Sequence, residues 1–345
     1  MVLPTRGAVN PLFGFAAVVV VVAGLRGFGE LLAPLFLALV LVVTVTPMAA
    51  ALRRRGLPRW LATIVTLLAV YAILLALVGS LVYTVAELVR VLPGYGPQFN
   101  DLVVNAAAQL SRLGVGPPEI QSALSQFDIG SAVGFLQGLL GQLAGVLTTL
   151  LLILSVLLFM TIDSTSFPER LLAIGRSRPH IVTALTSFSH GTRRFLAVST
   201  IFGLLVATLD VLVLTVLDVP LALLFGLLSL IANYIPNVGF LLALFPPALL
   251  AFLEGGPGLM LAVIVAFLVI NTLLQTIIQP RFIGDAVGLS VTVTFLALVF
   301  WGWVLGPLGA LLAIPLTLLA KALLVDSDPH TRWINSLIAA RPPHA

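Results

Sequence analysis

Three amides recur every four residues in the stretch NTLLQTIIQPRFIG (271–284): Asn271, Gln275 and Gln279. On a helix this spacing stacks them along one face. The result is a column of neutral donors and acceptors, which can line a path for a hydroxylated solute or hydrogen-bond to neighbouring helices. Thr272 and Thr276 widen the polar stripe. Pro280 has no backbone donor and biases Gln279 away from helical geometry, so the helix is predicted to end there. Arg281 follows directly, as an anchor or as a contact for an anionic group, with Asp285 near enough in sequence to neutralise it.

A second chemistry-bearing residue is Asp210, set in the apolar run FGLLVATLDVLVLTVL (202–217). A carboxyl group there either carries a proton or binds a cation, or else reaches a polar partner close to the end of the run, near Asp218. Asn233 precedes the break IPNVG, with Pro236 and Gly239 inside it, and is a further candidate; its alternative is turn chemistry around the proline. Gly306, Pro307 and Gly309 interrupt a later apolar run in the same way. Enzymatic constellations are missing. The four histidines, His180, His190, His330 and His344, are scattered without HExxH spacing, and no GxSxG elbow, P-loop or GxGxxG cradle occurs. With no cysteine there is no thiolate nucleophile, disulfide or thiolate metal site. No catalytic residue, metal site or cofactor is expected.

These residues need elements to hold them, and composition says in what solvent. Of 345 residues 60% are hydrophobic and 9% charged, with a mean hydropathy of +1.18, against roughly 25% charged in soluble chains. The solvent is lipid. The net charge of +4 comes from arginine clusters, which suits membrane topology and not nucleic-acid binding. A helix needs roughly 20 apolar residues to cross the hydrocarbon core. Full spans are predicted near 11–28, 31–52, 60–85, 135–162, 195–217 and 258–279. Arg53, Arg54, Arg55 and Arg59 follow the second span, and Arg170, Arg176, Arg178, Arg193 and Arg194 follow the fourth. Both loops are thus predicted to be cytoplasmic, with the N- and C-termini on the same side.

The chain divides into an N-terminal three-span unit (1–85), an external amphipathic helical segment (86–134) and a C-terminal transport unit (135–345). In the external segment Phe99, Leu102, Val103, Ala106 and Leu110 keep helical spacing, which GVGPPE interrupts. In the fourth span Gly134, Gly138, Gly141 and Gly145 make a small-residue face for close helix packing, within the chain or against a second copy. Two apolar stretches are too short to cross in each arm. One is broken at IPNVG (235–239), and the other, 290–304 and 308–324, is joined at WGWVLGPLG. Arms of roughly 15 residues reach only about 22 Å, so each pair is either a re-entrant hairpin or two tilted short spans. Gly/Pro-interrupted segments in matching places point to a transporter binding site. The fold expected is therefore all-α: a polytopic transmembrane bundle of about six full spans and two broken hairpins.

NYIPNVG (233–239), QPRFIGDAVGLS (279–290) and WGWVLGPLGALLAIPLTLL (301–319), in that order, resemble the autoinducer-2 exporter family of bacterial membrane proteins. Weaker agreement extends over LLAPLFLALVLVVTVTPMAAALRRRGLPR (31–59). The resemblance covers most of the chain. It implies a multi-pass protein of the bacterial inner membrane with roughly eight transmembrane segments. It also implies export of autoinducer-2 or a related small polar molecule, or, for some members, sodium or lithium exchange for protons. Val291 stands where the family commonly has proline, which leaves the helix start there less constrained.

Three functions compete on the sequence. A transporter for a small polar organic solute uses the amide column and the IPNVG and LGPLG breaks. A sodium(lithium)/proton antiporter uses Asp210. A non-transporting membrane assembly protein uses the glycine face and external helices, as a homo-oligomer.

Overall fold

The computed structural model describes residues 6–98, 104, 108, 129–164, 166–235, 238–279, 282, 289–328, 331 and 333–338. Among these residues the regular structure is helical throughout. In chain order come α1 (Arg6–Gly27), α2 (Gly29–Arg54), α3 (Arg59–Val91), α4 (Ile129–Asp163), α5 (Phe167–Gly175) and α6 (Pro179–Val216). They are followed by α7 (Ala222–Ala232), α8 (Gly239–Asn271), α9 (Val291–Leu311), α10 (Ala313–Lys321) and α11 (Ile334–Ile338). α8 runs on into a π-helical segment, Thr272–Ile278, and α10 into another, Ala322–Asp326.

Among the described residues five helical stretches are, by length and composition, long and apolar enough to cross a membrane: Gly29–Arg54, Arg59–Gln98, Pro179–Val216, Gly239–Ile278 and Val291–Leu311, the last two each running across a break described below. Shorter apolar helices occupy Phe13–Gly27, Thr148–Asp163 and Ala222–Ala232. Large apolar side chains such as Phe13, Leu68, Phe159 and Val216 point outward, while Thr66, Thr192, Ser199 and Asp210 are buried. An apolar exterior of this extent around a largely apolar core is what a hydrocarbon solvent selects. The protein is a multi-pass helical membrane protein.

The fifth predicted span begins earlier than its apolar run: α6 extends back to Pro179 and takes Arg193 and Arg194 into the helix. The two short helices expected within 86–134 fall largely outside the described residues. Gly134, Gly138, Gly141 and Gly145 of α4 are exposed, and a Cβ on any of them would meet nothing within 4 Å among the described residues. Within the described chain this face is unpacked.

The helices cluster into two compact units. One comprises Met1–Leu67, Leu152–Phe195 and Gly284–Ala345, and the other Leu68–Leu151 and Leu196–Ile283. In the first, α9 breaks at Gly306, whose φ of 70° and ψ of −155° lie in a region open essentially to glycine alone. Pro307 then begins a new helical arm, a position where its missing N–H costs nothing. The two arms fold back on each other. Trp301 Nε1 donates to Thr317 Oγ1 at 3.0 Å, sixteen residues away, and a Cβ on Gly309 would collide with the Trp301 carbonyl oxygen. The expected second hairpin is thus a helical hairpin. Its start is secured despite Val291, because Ser290 Oγ accepts from the Val293 N–H at 3.3 Å as an N-cap.

The second unit repeats the device. Gly256, with φ 71° and ψ −166°, breaks α8 just before Pro257. Both halves of α8 then share one apolar core with Leu214 and Phe225: Leu244, Ala248 and Leu250 from the first, Val263 and Phe267 from the second. Gly239 opens α8 so close to α7 that a Cβ there would run into the Ala232 carbonyl oxygen. The expected first hairpin, broken at 235–239, corresponds to α7 and the first half of α8.

One helix defect is compensated across helices. Pro47 lies inside α2 and has no N–H to give the Val43 carbonyl, four residues earlier. Arg193 Nε of α6 donates to that oxygen at 2.6 Å. Arg193→Leu is predicted to lower stability by about 1.5–3 kcal/mol, the range for a charge-assisted hydrogen bond. In a Pro47→Ala background, where a helical N–H is restored, the loss should shrink markedly. Thermal unfolding in detergent of the four members of this double-mutant cycle checks it, and equal losses in both backgrounds would contradict it.

Candidate functional site

The polar side chains of the second unit concentrate on α6, α7 and the C-terminal end of α8. On α6, Ser199, Gly203 and Asp210 are all buried, and on α7 Gly226 and Ser229 are too. Small residues let the two helices meet. A Cβ on Gly226 would strike Val211 of α6 and approach the Ala207 carbonyl oxygen at 3.1 Å, and one on Gly203 would lie 3.0 Å from Asn233 Nδ2. Asn233 therefore reaches over Gly203 and donates to the Ser199 carbonyl at 2.6 Å. Beside it, Thr200 Oγ1 and Tyr234 Oη are 2.7 Å apart. Since Thr200 gives its single proton to the Leu196 carbonyl at 2.7 Å, the tyrosine is the donor of that pair.

Asp210 is fully buried, 0% exposed. The Ser229 hydroxyl approaches its carboxyl group. Still, neither Asp210 oxygen, nor Ser229 Oγ, nor Ser199 Oγ completes a hydrogen bond to the protein among the described residues. Buried polar atoms are nearly always paired, which sets these apart from the rest of the seam between α6 and α7.

The amide column is present and directional. Asn271 Nδ2 donates to the Phe267 carbonyl at 2.8 Å, and Gln275 Nε2 donates to Asn271 Oδ1 at 2.7 Å. Asn271 and Gln279 are buried and Gln275 is half-buried. Both donors in this chain point toward the N-terminus, and among the described residues Gln275 makes no further bond with its acceptor oxygen or its second N–H. The column runs through the π-helical segment Thr272–Ile278, a geometry that is rare and concentrates at functional sites. Thr272 and Thr276 are exposed and stand off the buried face. Beyond the column, Phe282 packs against Phe202 of α6, with ring centroids 5.5 Å apart, so the end of the amide column returns to the helix that carries Gly203.

Asp210, Asn233, Asn271, Gln275 and Gln279 thus belong to one unit, with Gly239 forming the turn beneath Asn233. Pro236, Pro280 and Arg281 lie outside the described residues. Gly306, Pro307 and Gly309 belong to the other unit, where they make the hairpin turn described above. Sequence reasoning passed over Ser199, Ser229, Tyr234, Gly203 and Gly226. Their signal is a helical register, Gly226-Ser229-Asn233 at i, i+3 and i+7, hidden in a run that reads as uniformly apolar.

Residues 15–327 match the family model described as AI-2E family transporter. The chain belongs to the AI-2E transporter family. It is 33% identical over 308 residues to the AI-2 transport protein TqsA of Escherichia coli strain K12, covering 88% of each chain. It is 29% identical over 325 residues, 93% of each chain, to a putative transport protein of Haemophilus influenzae. A putative transport protein of Mycobacterium tuberculosis is 27% identical over 323 residues, 87% of this chain and 84% of its own. As an AI-2E family transporter, the protein works in transport, and its fold and family agree with the sequence expectation.

Asn233 supports this seam with a single donor. Replacing it by Asp sets a carboxylate oxygen against the Ser199 carbonyl, and is predicted to cost about 2 kcal/mol or more. Tyr234→Phe, which leaves Thr200 otherwise bonded, should cost about 1 kcal/mol. Unfolding in detergent distinguishes the two, and an Asn233→Asp protein as stable as wild type would contradict the contact.

Proposed function

We propose that the protein carries a small polar organic solute, similar to autoinducer-2, across the bacterial cytoplasmic membrane as a secondary transporter or facilitator. It acts without cofactor or chemical conversion, and both termini are cytoplasmic. The amide column carries this reading. It is neutral, buried on one side, and ends at Gln275 with one donor and one acceptor unbonded among the described residues, which matches a hydroxylated solute better than a bare ion. The name of the E. coli relative supports autoinducer-2 as the solute class. The arginine-rich loops support the orientation.

Asp210 favours a second element. A fully buried carboxyl group without a cation among its described contacts is suited to exchange a proton or hold a sodium ion, and so to couple solute movement to an ion gradient. The exposed glycine face of α4 supports a homo-oligomer in the bilayer, since close approach of helices there needs a second surface.

Uptake of labelled autoinducer-2 into proteoliposomes, with and without imposed proton and sodium gradients, tests this function. Gln275→Leu is expected to lower flux at least tenfold while the protein stays folded. Asp210→Asn is expected to retain downhill flux and lose the response to the gradient. Wild-type proteoliposomes that move sodium and protons but no solute, and lose that exchange in Asp210→Asn, would replace solute transport with cation/proton antiport.

A further inference from the structure

In the first unit, the ends of α2, α3 and α4 enclose a cavity of about 90 Å³, several times the roughly 10–15 Å³ that one water needs. Its walls are regular. α2 contributes Thr46 and Arg53, and α3 contributes Arg59, Thr63 and Thr66, each four or three residues after the last. α4 contributes Thr161, and the turn after it Ser164. Among the described residues, neither Arg53 nor Arg59 has a carboxylate within ion-pair distance. Thr161 is 7% exposed, and its Oγ1 has no hydrogen-bond partner.

The protons of the other hydroxyls are already used. Thr46 donates to the Val42 carbonyl at 2.6 Å, Thr63 to Arg59 at 3.0 Å, Thr66 to Ala62 at 2.7 Å and Ser164 to Thr161 at 2.7 Å. These four side chains are left with lone pairs to offer, while the two guanidinium groups and Thr161 have donors to offer. The complementary ligand joins an anionic oxygen cluster to hydroxyl groups that donate. Next to Arg59, Trp60 is 65% exposed, as expected of an indole at the level of lipid headgroups.

We infer that this cavity binds a phosphate ester that carries free hydroxyls, with Arg53 and Arg59 holding the phosphate and the threonine oxygens accepting from the hydroxyls. The group is supplied by a glycerol-type phospholipid headgroup or by a soluble glycerol phosphate. The site shares no residue with the proposed solute seam and does not depend on its assignment.

Native mass spectrometry of the full chain in detergent tests it, by titration with dioleoylphosphatidylglycerol, dioleoylphosphatidylcholine and sn-glycerol 3-phosphate. Phosphatidylglycerol should bind at least tenfold more tightly than phosphatidylcholine. Arg53→Gln and Arg59→Gln should each weaken it by about tenfold, whereas Arg54→Gln, which removes the same charge outside the cavity lining, should change it by less than about twofold. Thr161→Val should weaken binding and Thr161→Ser preserve it. Retention of the lipid alone identifies a headgroup site, and binding of sn-glycerol 3-phosphate as well identifies a site for the soluble ester. Equal losses for Arg53→Gln, Arg59→Gln and Arg54→Gln would reduce the site to diffuse charge attraction and overturn it, as would equal binding of the two lipids. Unchanged thermal unfolding of each variant separates loss of binding from loss of fold.

Discussion

A peptide group in hydrocarbon has no water to turn to, so each break in a helix must be answered by the chain itself. The bond from Arg193 to the Val43 carbonyl shows the constraint at its plainest: a proline removes one donor from α2 and a guanidinium on α6 supplies another. The converse requirement falls on polar side chains away from water, which turn to backbone carbonyls: Asn233 bonds back to the backbone of α6, and Asn271 shares the Phe267 carbonyl. Asp210, Ser199 and Ser229 stand apart, because among the described residues their buried polar atoms complete no such bond.

Two Gly-Pro steps with nearly the same dihedral angles, Gly256-Pro257 and Gly306-Pro307, let short apolar arms turn without exposing peptide groups over a long loop. Glycine takes the left-handed conformation, and proline restarts a helix whose first N–H groups would have no partner anyway. Each unit contains a pair of arms folded about such a step: Gly309 packs against Trp301 in one, and Leu244 and Ala248 share a core with Val263 and Phe267 in the other.

Much of this was legible in the sequence because lipid imposes simple rules. The hydropathy pattern located the long helices, and the prolines and glycines of IPNVG and WGWVLGPLG located the turns. The i, i+4 amides foretold the hydrogen-bonded column of Asn271 and Gln275. What stayed hidden depends on contacts between helices. Nothing near Arg193 in sequence says that its partner is a carbonyl freed by Pro47, 146 residues earlier. Ser229 and Gly226 sit in an apolar run, and only the facing helix gives them meaning. The cavity of threonines and arginines was also invisible, because arginines beside a membrane span read first as topology signals.

The central claim is that the amide face lines a water-accessible solute path, and the chain is well suited to testing it because it contains no cysteine. Single substitutions Gln275→Cys and Leu273→Cys, the latter at a 50% exposed position on the same helical segment, can be labelled in proteoliposomes with a charged, membrane-impermeant thiol reagent. A path along the amides predicts that Gln275→Cys reacts, that autoinducer-2 slows its reaction, and that Leu273→Cys, facing lipid, stays unreactive. A Gln275→Cys protein that is inert with and without solute, or one that reacts no faster than Leu273→Cys, would contradict the account and leave the amides as a contact between helices.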